Sequence, residues 1–548
     1  MRRRAYDGLW RPFFGRKDRP ENLGGCFVVS GGNWSGSVPP MPGGQPAAER
    51  VEPVIDPARA ARPARRGVSR REVIRWGLIG VGGLAVGGLG GFAIGRSTAP
   101  SADAPHPIAD APTAAPLAAA AFPISLSADA RGFVDAEGSP FFYLADTPWN
   151  AISRMTRESF TTLATARRDS GFTGLQMSVL DFDPRAENAY GHAPFAERGA
   201  LDDPLLAEDD GDDYWSHVAW CIDTCAELGL VACLVPSWYG GWGDSWRGYV
   251  TADNAGAYGA FLADRFGDRA NVWWLLGGDN DPSDEGDATS GVPGGLNRGP
   301  VIEETIAMGR ALREGAAVTQ LMSYHTARRM TVEEYFGGED WYDISAAYSG
   351  EDSAPYVAAE YARPTVRPVV LWESYYEARD TEPMLDRRAV RAQAYHALMA
   401  GAAGIVYGHE LVYAVADGWV EALASESSGD MGVLSAIIAD EASEPLVPVS
   451  DAAGTSALLP DGYGTPGTTS SVGAVTLSDG RGALVYVNEP RSQITVDTTA
   501  LHPTASFGIR WINPATGEEF FVADDRTGDD VSVGWPSTWS DAVLVIRR

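Results

Sequence analysis

Eight short apolar, β-branched runs recur between residues 141 and 407, and stretches of helical period separate most of them. The runs are Phe141–Ala145, Gly174–Leu180, Leu230–Pro236, Val272–Leu276, Val318–Met322, Ile344–Ala347, Pro368–Leu371 and Gly404–Tyr407. Amphipathic spacing marks Tyr214–Leu228, Ala252–Phe266, Ile302–Leu312, Tyr356–Ala362 and Arg387–Met399. Strands buried on both faces and alternating with helices require crossover connections, and hence a parallel sheet. Eight such units over about 300 residues predict an α/β fold, a closed (β/α)8 TIM barrel. It is expected to fill residues 121–445.

The residue types at the ends of these runs carry the next step. In a barrel of this kind the chemistry sits at the C-terminal ends of the strands. Just past the eight runs stand Asp146, Asp181, Trp238, Asp279, His325, Tyr348, Glu373 and His409, one per strand and in order. Loops are polar in any case, but acids and histidines directly abutting apolar runs exceed that expectation.

After residue 445 helical periodicity disappears. Val472–Ser478, Gly482–Asn488, Gln493–Val496, Gly508–Ile512, Glu519–Ala523 and Ala542–Ile546 read as strands with turns such as Asp479-Gly480. They predict a small all-β sandwich domain over 446–548.

The N-terminus has a different character. Residues 1–68 mix Arg, Pro and Gly without periodicity and read as a disordered or untranslated extension. Residues 69–97 hold Arg70-Arg71 and then an apolar, Gly-rich run from Trp76 to Gly95. Residues 98–120 form an Ala/Pro-rich linker with small-residue sites such as Ala102-Asp103-Ala104. A basic region, an apolar run and a small-residue region are the parts of an export signal, here of twin-arginine type. The expected location is therefore secreted or cell-surface. Membrane contact is expected only through this segment, if it stays uncleaved; a run of about 20 residues is long enough to span. Gly80-Val81-Gly82-Gly83-Leu84-Ala85 imitates a dinucleotide fingerprint, but more glycines and Pro100 follow where that motif needs a helix and a second strand.

Charge removes one class of partner. Residues 1–100 hold 16 basic and 7 acidic residues, net +9, leaving 27 basic and 66 acidic residues beyond, net −39. So acidic a body lacks the basic footprint that nucleic-acid binding needs. Lys17 is the only lysine, so the body has neither a Schiff-base lysine nor a Gly-Lys-Ser/Thr phosphate loop. No Gly-x-Ser-x-Gly elbow appears in the body. Cys221 and Cys225 sit near His217 at helical spacing and read as buried structural thiols rather than a zinc site. The acidic run from Glu208 to Asp213 lacks the ligand spacing of a calcium loop and reads as a solvated loop. No metal and no cofactor is expected.

What remains is a pair of acids. Asp279 follows Gly277-Gly278 at the end of the fourth run, and Glu373 closes the seventh. Glycoside hydrolysis needs two carboxyls across the scissile bond, one to protonate the leaving oxygen and one to act as nucleophile or base. Either acid alone more often pairs with an arginine. Sugar recognition also wants flat apolar faces, and Trp149, Trp238, Tyr239, Trp242, Trp246 and Trp372 lie in strand-end loops, some of them expected in the core and about half expected to touch ligand. His192, His325 and His409 are candidates for bonding sugar hydroxyls; they lack the close spacing of a zinc set. Arg185, Arg328 and Arg379 are placed to offset the acidic surface against a polyanionic substrate.

Several motifs in order strengthen this. Leu144-Ala145-Asp146-Thr147-Pro148-Trp149, Asn188-Ala189-Tyr190-Gly191-His192-Ala193-Pro194-Phe195, Gly277-Gly278-Asp279 and Ser323-Tyr324-His325 come first. Tyr348-Ser349-Gly350, Glu373-Ser374-Tyr375-Tyr376-Glu377 and Tyr407-Gly408-His409 follow. The set resembles the proteins of "domain of unknown function 4038", linked to apiosidase-like enzymes of glycoside hydrolase family 140, over about residues 123–445. The stretch Trp511-Ile512-Asn513-Pro514-Ala515-Thr516-Gly517 is similar to the collagen-binding-type β domain that usually follows. The resemblance implies a secreted or surface hydrolase of apiose-containing pectic side chains, with Asp279 as acid/base and Glu373 as nucleophile. It also implies a substrate-binding set of Asp146, Trp149, Asn188, Tyr190, His192, Trp238, His325, Tyr348, Tyr376, Glu377 and His409. Glu377 is expected to orient its loop rather than react. Two departures bear on the sugar pocket: Ser374 and Tyr375 replace a common Pro-Arg, and Tyr348 stands where Gln is common.

Three rivals stay open: a barrel that binds glycans without cleaving them, a glycosidase for another furanoside such as arabinofuranoside, and a polysaccharide lyase, which would need a base beside the C5 proton of a uronic acid. The long preamble before the arginine pair predicts that translation begins near Val68. Mass spectrometry of the precursor is then expected to find no peptide from residues 1–60, and finding one overturns that start.

Overall fold

The computed structural model describes residues 119–548, apart from 185, 210, 241–245, 285–298, 350–352, 380–385, 443–444, 450–456, 463 and 465–470. The expected extension over 1–68, the twin-arginine segment over 69–97, nearly all of the linker, Arg185, Trp242 and Asp210 lie outside the described residues. Among the described residues no helix is long and apolar enough to cross a membrane.

Eight parallel strands form one sheet: β1 (Tyr143–Asp146), β2 (Gly174–Ser178), β3 (Val231–Val235), β4 (Val272–Asn280), β5 (Met322–Thr326), β6 (Ser345–Tyr348), β7 (Val369–Glu373) and β8 (Ala402–Tyr407). Their order is β5-β4-β3-β2-β1-β8-β7-β6, every neighbouring pair parallel. The remaining seam, between β5 and β6, is bridged at one end. The Asp343 and Ile344 amides donate to the Met322 carbonyl at 3.0 and 3.3 Å, and Ser323 Oγ donates to the Ile344 carbonyl at 2.7 Å. The result is a (β/α)8 TIM barrel.

One main helix follows each strand: α1 (Arg157–Asp169), α2 (Tyr214–Glu227), α3 (Ala252–Phe266), α4 (Ile302–Gly315), α5 (Glu333–Phe336), α6 (Ser353–Tyr361), α7 (Arg387–Met399) and α8 (Glu426–Glu441). Local chemistry starts them. Asp213 with Ser216 and Thr251 with Asn254 form reciprocal capping boxes on α2 and α3, and Thr156, Asp386 and Ser425 cap α1, α7 and α8. On α1 the buried residues Phe160, Leu163, Ala164 and Arg167 repeat at three to four, which turns one face to the barrel. Below the barrel three two-residue strands, Ser125–Leu126, Phe133–Val134 and Pro140–Phe141, form a small antiparallel sheet. Phe133 and Phe141 set their rings 4.9 and 6.3 Å from Trp273, near the start of β4, and so close the N-terminal end. Asp279 and Glu373 stand at the opposite end, where the strands finish.

The fifth strand is displaced from its expected place at Val318–Met322. Val318 is a half-buried loop residue, whereas Met322-Ser323-Tyr324-His325-Thr326 is fully buried. These polar residues enter the barrel because they find partners there: Ser323 Oγ accepts from Trp372 Nε1 at 3.0 Å, and His325 Nδ1 accepts from the Asp279 amide. His325 therefore lies within the strand rather than past it.

The C-terminal region is antiparallel β throughout, with β9 (Leu446–Pro448), β10 (Val472–Leu477), β11 (Gly482–Val487), β12 (Gln493–Val496), β13 (Phe507–Ile512), β14 (Glu519–Arg526), β15 (Val531–Gly534) and β16 (Ala542–Arg547). Six strands run β9-β10-β11-β16-β13-β14, and β12 pairs with β15. Alternation splits each central strand between two cores. Ala483, Val485, Leu544 and Ile546 face Ile494, Val496 and Val533 of the small pair. Leu484, Tyr486, Val543 and Val545 face the barrel helices α7 and α8. Tyr395 of α7 stacks on Tyr486 at 4.6 Å.

A buried ion network fastens this contact. Arg391 of α7 makes a two-bond pair with Asp541, at 2.9 and 2.6 Å, and also binds Asp430 of α8, which Arg387 holds at 2.6 Å. Removing one member of a buried network strands the other charges. Arg391→Met is expected to lower unfolding stability by about 3–5 kcal/mol. Arg387→Met, at a site 36% exposed, should cost much less. Equilibrium unfolding in urea measures both.

Candidate active site

The end of β4 bends sharply. Gly277 has φ +87°, Gly278 has φ +128° and Asp279 has φ +49°. The glycines are required twice over, by the left-handed backbone and by space. A Cβ at Gly277 would lie 2.5 Å from the Tyr324 ring, and one at Gly278 would lie 2.6 Å from Trp238. Asp279 has no such freedom, and a left-handed non-glycine residue costs about 1–3 kcal/mol. Its amide donates to His325 Nδ1 at 3.0 Å, which holds the turn in place. Beyond the turn β4 rejoins β5 through Asn280 and Thr326, with a register shift that accommodates the extra residues.

Glu373 ends β7 and is 5% exposed. Its Oε2 lies 3.1 Å from His325 Nε2, a close but bent contact. His325 is thus in touch with the main chain of one acid and the carboxylate of the other. Three rings flank it: Trp149 at 5.4 Å, Trp238 at 5.1 Å and Tyr348 at 5.4 Å. Tyr376 carries the wall further, its hydroxyl accepting from Trp149 Nε1 at 2.6 Å. On the outer side of the β7 loop, Gln393 of α7 clasps Tyr375, accepting its N–H at 2.9 Å and donating to its carbonyl at 3.2 Å.

The two carboxyls are driven apart electrostatically. Burial, and then the charge of Glu373, push Asp279 up to about 7. Burial also works upward on Glu373. The donor from His325 and the positive charges of Arg379 and Arg328 outweigh it, so Glu373 sits below the ordinary carboxylate range. One acid therefore keeps its proton near neutrality while its neighbour is ionised. Arg328 lies between Tyr348 and Tyr375, 5.2 and 4.8 Å from their ring centres, and donates to the Tyr348 hydroxyl at 3.1 Å. Arg379 lies over Tyr376 at 4.6 Å and pairs with Glu410 at 3.0 Å. The sequence reading gave these arginines only the task of countering substrate charge. Their places in the loops after β5 and β7, three residues beyond His325 and six beyond Glu373, were the available signal for more.

Of the expected substrate-binding set, Trp149, Trp238, His325, Tyr348 and Tyr376 gather around the acid pair. The others make different contacts. Asp146 is fully buried and pairs with Arg167 of α1 at 2.6 Å; Arg167 continues to Ser428 Oγ and the Leu423 carbonyl. It joins β1 to α1 and α8, a structural task that leaves its carboxylate engaged. Glu377 accepts from Tyr407 at 2.5 Å and Ser425 at 2.8 Å, which anchors the β7 loop to β8 and to the cap of α8. His409 caps the short helix Glu410–Tyr413, its Nδ1 accepting from the Leu411 amide. Asn188 folds its own loop, accepting from the amides of Tyr190 and His192 at 3.0 Å each. Tyr190 accepts from the Arg157 amide at the start of α1 and lies against His192 and His217. Of the other aromatics, Tyr239, Trp246 and Trp372 belong to the core. Asp212 and Asp213 of the acidic run serve Arg157, Ser216 and the cap of α2.

Two carboxyls at the C-terminal ends of the strands of a (β/α)8 barrel, Glu373 buried and Asp279 half-buried, one acid protonated and one ionised, are the equipment of a glycoside hydrolase. The chain belongs to the apiosidase-like family: residues 127–443 match its description "Apiosidase-like, catalytic domain". Solved structures share the fold. A glycoside hydrolase family 5 protein from Bacteroides vulgatus is 22% identical with a TM-score of 0.66, over 78% of this chain and 95% of its own. A second, described as a glycoside hydrolase, is 20% identical with a TM-score of 0.65, over 78% and 97%. A third, a putative glycoside hydrolase from Bacteroides vulgatus, is 14% identical with a TM-score of 0.56, over 78% and 82%. No curated protein matches the chain.

The placement of Asp146 has a measurable consequence. Asp146→Ala leaves the Arg167 charge buried without its carboxylate, so unfolding stability is expected to fall by about 3–5 kcal/mol. KM of the folded variant is expected to match wild type. A raised KM at unchanged stability would return Asp146 to the substrate.

Proposed function

We propose that this chain is an exported, retaining glycosidase that cleaves apiose-containing or related side chains of plant cell walls. The observation that carries the reading is the opposed displacement of two neighbouring carboxyls: Asp279 up to about 7 and Glu373 below its usual range. Asp279 then acts as general acid and base, and Glu373 as nucleophile.

In the first step Glu373 attacks the anomeric carbon. The glycosidic C–O bond breaks as Asp279 gives its proton to the leaving oxygen. In the second, the ionised Asp279 takes a proton from water, the water oxygen bonds to the anomeric carbon, and Glu373 leaves. Trp149, Trp238 and Tyr376, themselves nearly buried, pack around His325 and beside the pair. The family membership supports apiose as the sugar. The twin-arginine pair and the apolar run after it support export. The rings of Tyr348 and Tyr375 about Arg328, at two of the three positions that depart from the common pattern, favour a second reading, a different furanoside such as arabinofuranoside.

The test is turnover of apiosyl glycosides, pectic side chains and arabinans by the full chain, with product followed by mass spectrometry and its initial anomeric form by NMR. Retention is expected. Glu373→Gln and Asp279→Asn should each lower kcat/KM by about 10²–10⁴ on substrates with poor leaving groups. No release from any substrate, with glycan binding still measurable, would replace the hydrolase with a binding barrel. The pH dependence has a definite sign. The acid must be protonated, so kcat/KM is expected to fall as pH rises through about 7. Its acidic limb should follow ionisation of Glu373, below the ordinary carboxylate range.

A further inference from the structure

We infer that His325 is a positioning residue that couples the two catalytic carboxyls, its imidazole fixed as the Nε2–H tautomer by the main-chain amide of Asp279. The inference rests on the roles proposed above for Asp279 and Glu373.

A backbone N–H can only donate. The 3.0 Å contact from the Asp279 amide therefore requires a bare lone pair at Nδ1, and a neutral ring must then carry its proton on Nε2. That nitrogen is the one 3.1 Å from Glu373 Oε2. The contact takes up Oε2 and leaves Oε1 for the anomeric carbon. Its bend is of the kind that straightens once substrate fills a site. Turning the ring over would put a carbon at the amide and orphan a buried donor. His325 is 0% exposed, and Trp149, Trp238 and Tyr348 crowd the ring, so little space exists for that turn.

One imidazole thus does two things. It pins the left-handed backbone that delivers Asp279, and it donates to the carboxylate that must stay ionised. The titratable and charged groups facing Glu373 are Asp279 from β4, His325 and Arg328 from β5 and its loop, Tyr348 from β6, and Tyr376 and Arg379 from the loop after β7. Of these only His325 reaches both acids by direct contact among the described residues.

The chain has seven histidines, so ring-nitrogen NMR on the full protein labelled with ¹⁵N-histidine is tractable. The His325 signals are identified by their loss in His325→Gln. The expected spectrum shows Nε2 protonated and Nδ1 bare, in wild type and in Glu373→Gln alike, because the amide rather than the carboxylate selects the tautomer. A protonated Nδ1, or averaging between tautomers, overturns the inference. The second measurement is the pH profile of kcat/KM. His325→Asn keeps an acceptor near the Nδ1 position and loses the donor to Glu373. It is expected to lose about ten- to hundredfold in kcat/KM, with the acidic limb moved to higher pH. His325→Gln keeps a donor near the Nε2 position and should return that limb toward wild type. An acidic limb unmoved in His325→Asn sinks the coupling even if activity drops. Full turnover in both Asp279→Asn and Glu373→Gln would instead remove the catalytic roles themselves, a failure the tautomer measurement does not share.

Discussion

The site depends on a backbone turn that the chain would not adopt unaided. Three consecutive residues at the end of β4 have positive φ, and the last is an aspartate. Glycine makes the first two inexpensive; the third is held by its bond to His325. Gly277 lies against the Tyr324 ring and Gly278 against Trp238, each too close for a Cβ, so the two glycines can pass beneath the rings and carry the chain to Asp279. A regular strand end would instead have continued the pleat and sent the acid to one face of the barrel wall.

The same geometry explains the unequal carboxyls. Two like charges in one buried place cannot both form cheaply, so one must hold a proton. Which one holds it follows from the cations and donors nearby. His325 meets Glu373 directly, and Arg328 and Arg379 come from the loops on either side of β6 and β7, with ring planes beneath them. Asp279 receives their charge too, but burial and the ionised Glu373 dominate there. The asymmetry is therefore built by residues that do not react.

Much of this was legible in the sequence. The eight βα units, the positions of Asp279 and Glu373 and the change to antiparallel strands follow from period and turn residues. What was not legible was whether a polar residue at a strand end faces the cleft or the core. Asp146 and Glu373 both terminate barrel strands and are both buried. One meets Arg167, twenty-one residues along the chain, and the other meets His325. Nothing local distinguishes them, because the partner arrives from another element. The fifth strand was placed early for a related reason. Its polar residues resemble a loop until Trp372 and the Asp279 amide supply their bonds. Glu377 follows the same rule, its carboxylate fixing the β7 loop to β8 and to the cap of α8, whereas His409 serves the short helix that follows it.

The C-terminal sheet belongs in this account as well. β11 and β16 are buried on both faces, which the expectation of a small sandwich domain did not address. Only one face is covered by strands; the other lies on α7 and α8. Those helices flank the site's supports: Gln393 of α7 clasps Tyr375, and the cap of α8, Ser425, holds Glu377. Arg391 ties α7 to α8 through Asp430 and to the sheet through Asp541. The sheet thus braces, through two helices, the loop that begins at Glu373. A site that needs a left-handed aspartate and an off-axis imidazole contact to stay in register gains from rigidity on that side, since a displacement of about 1 Å can cost 10²-fold in rate.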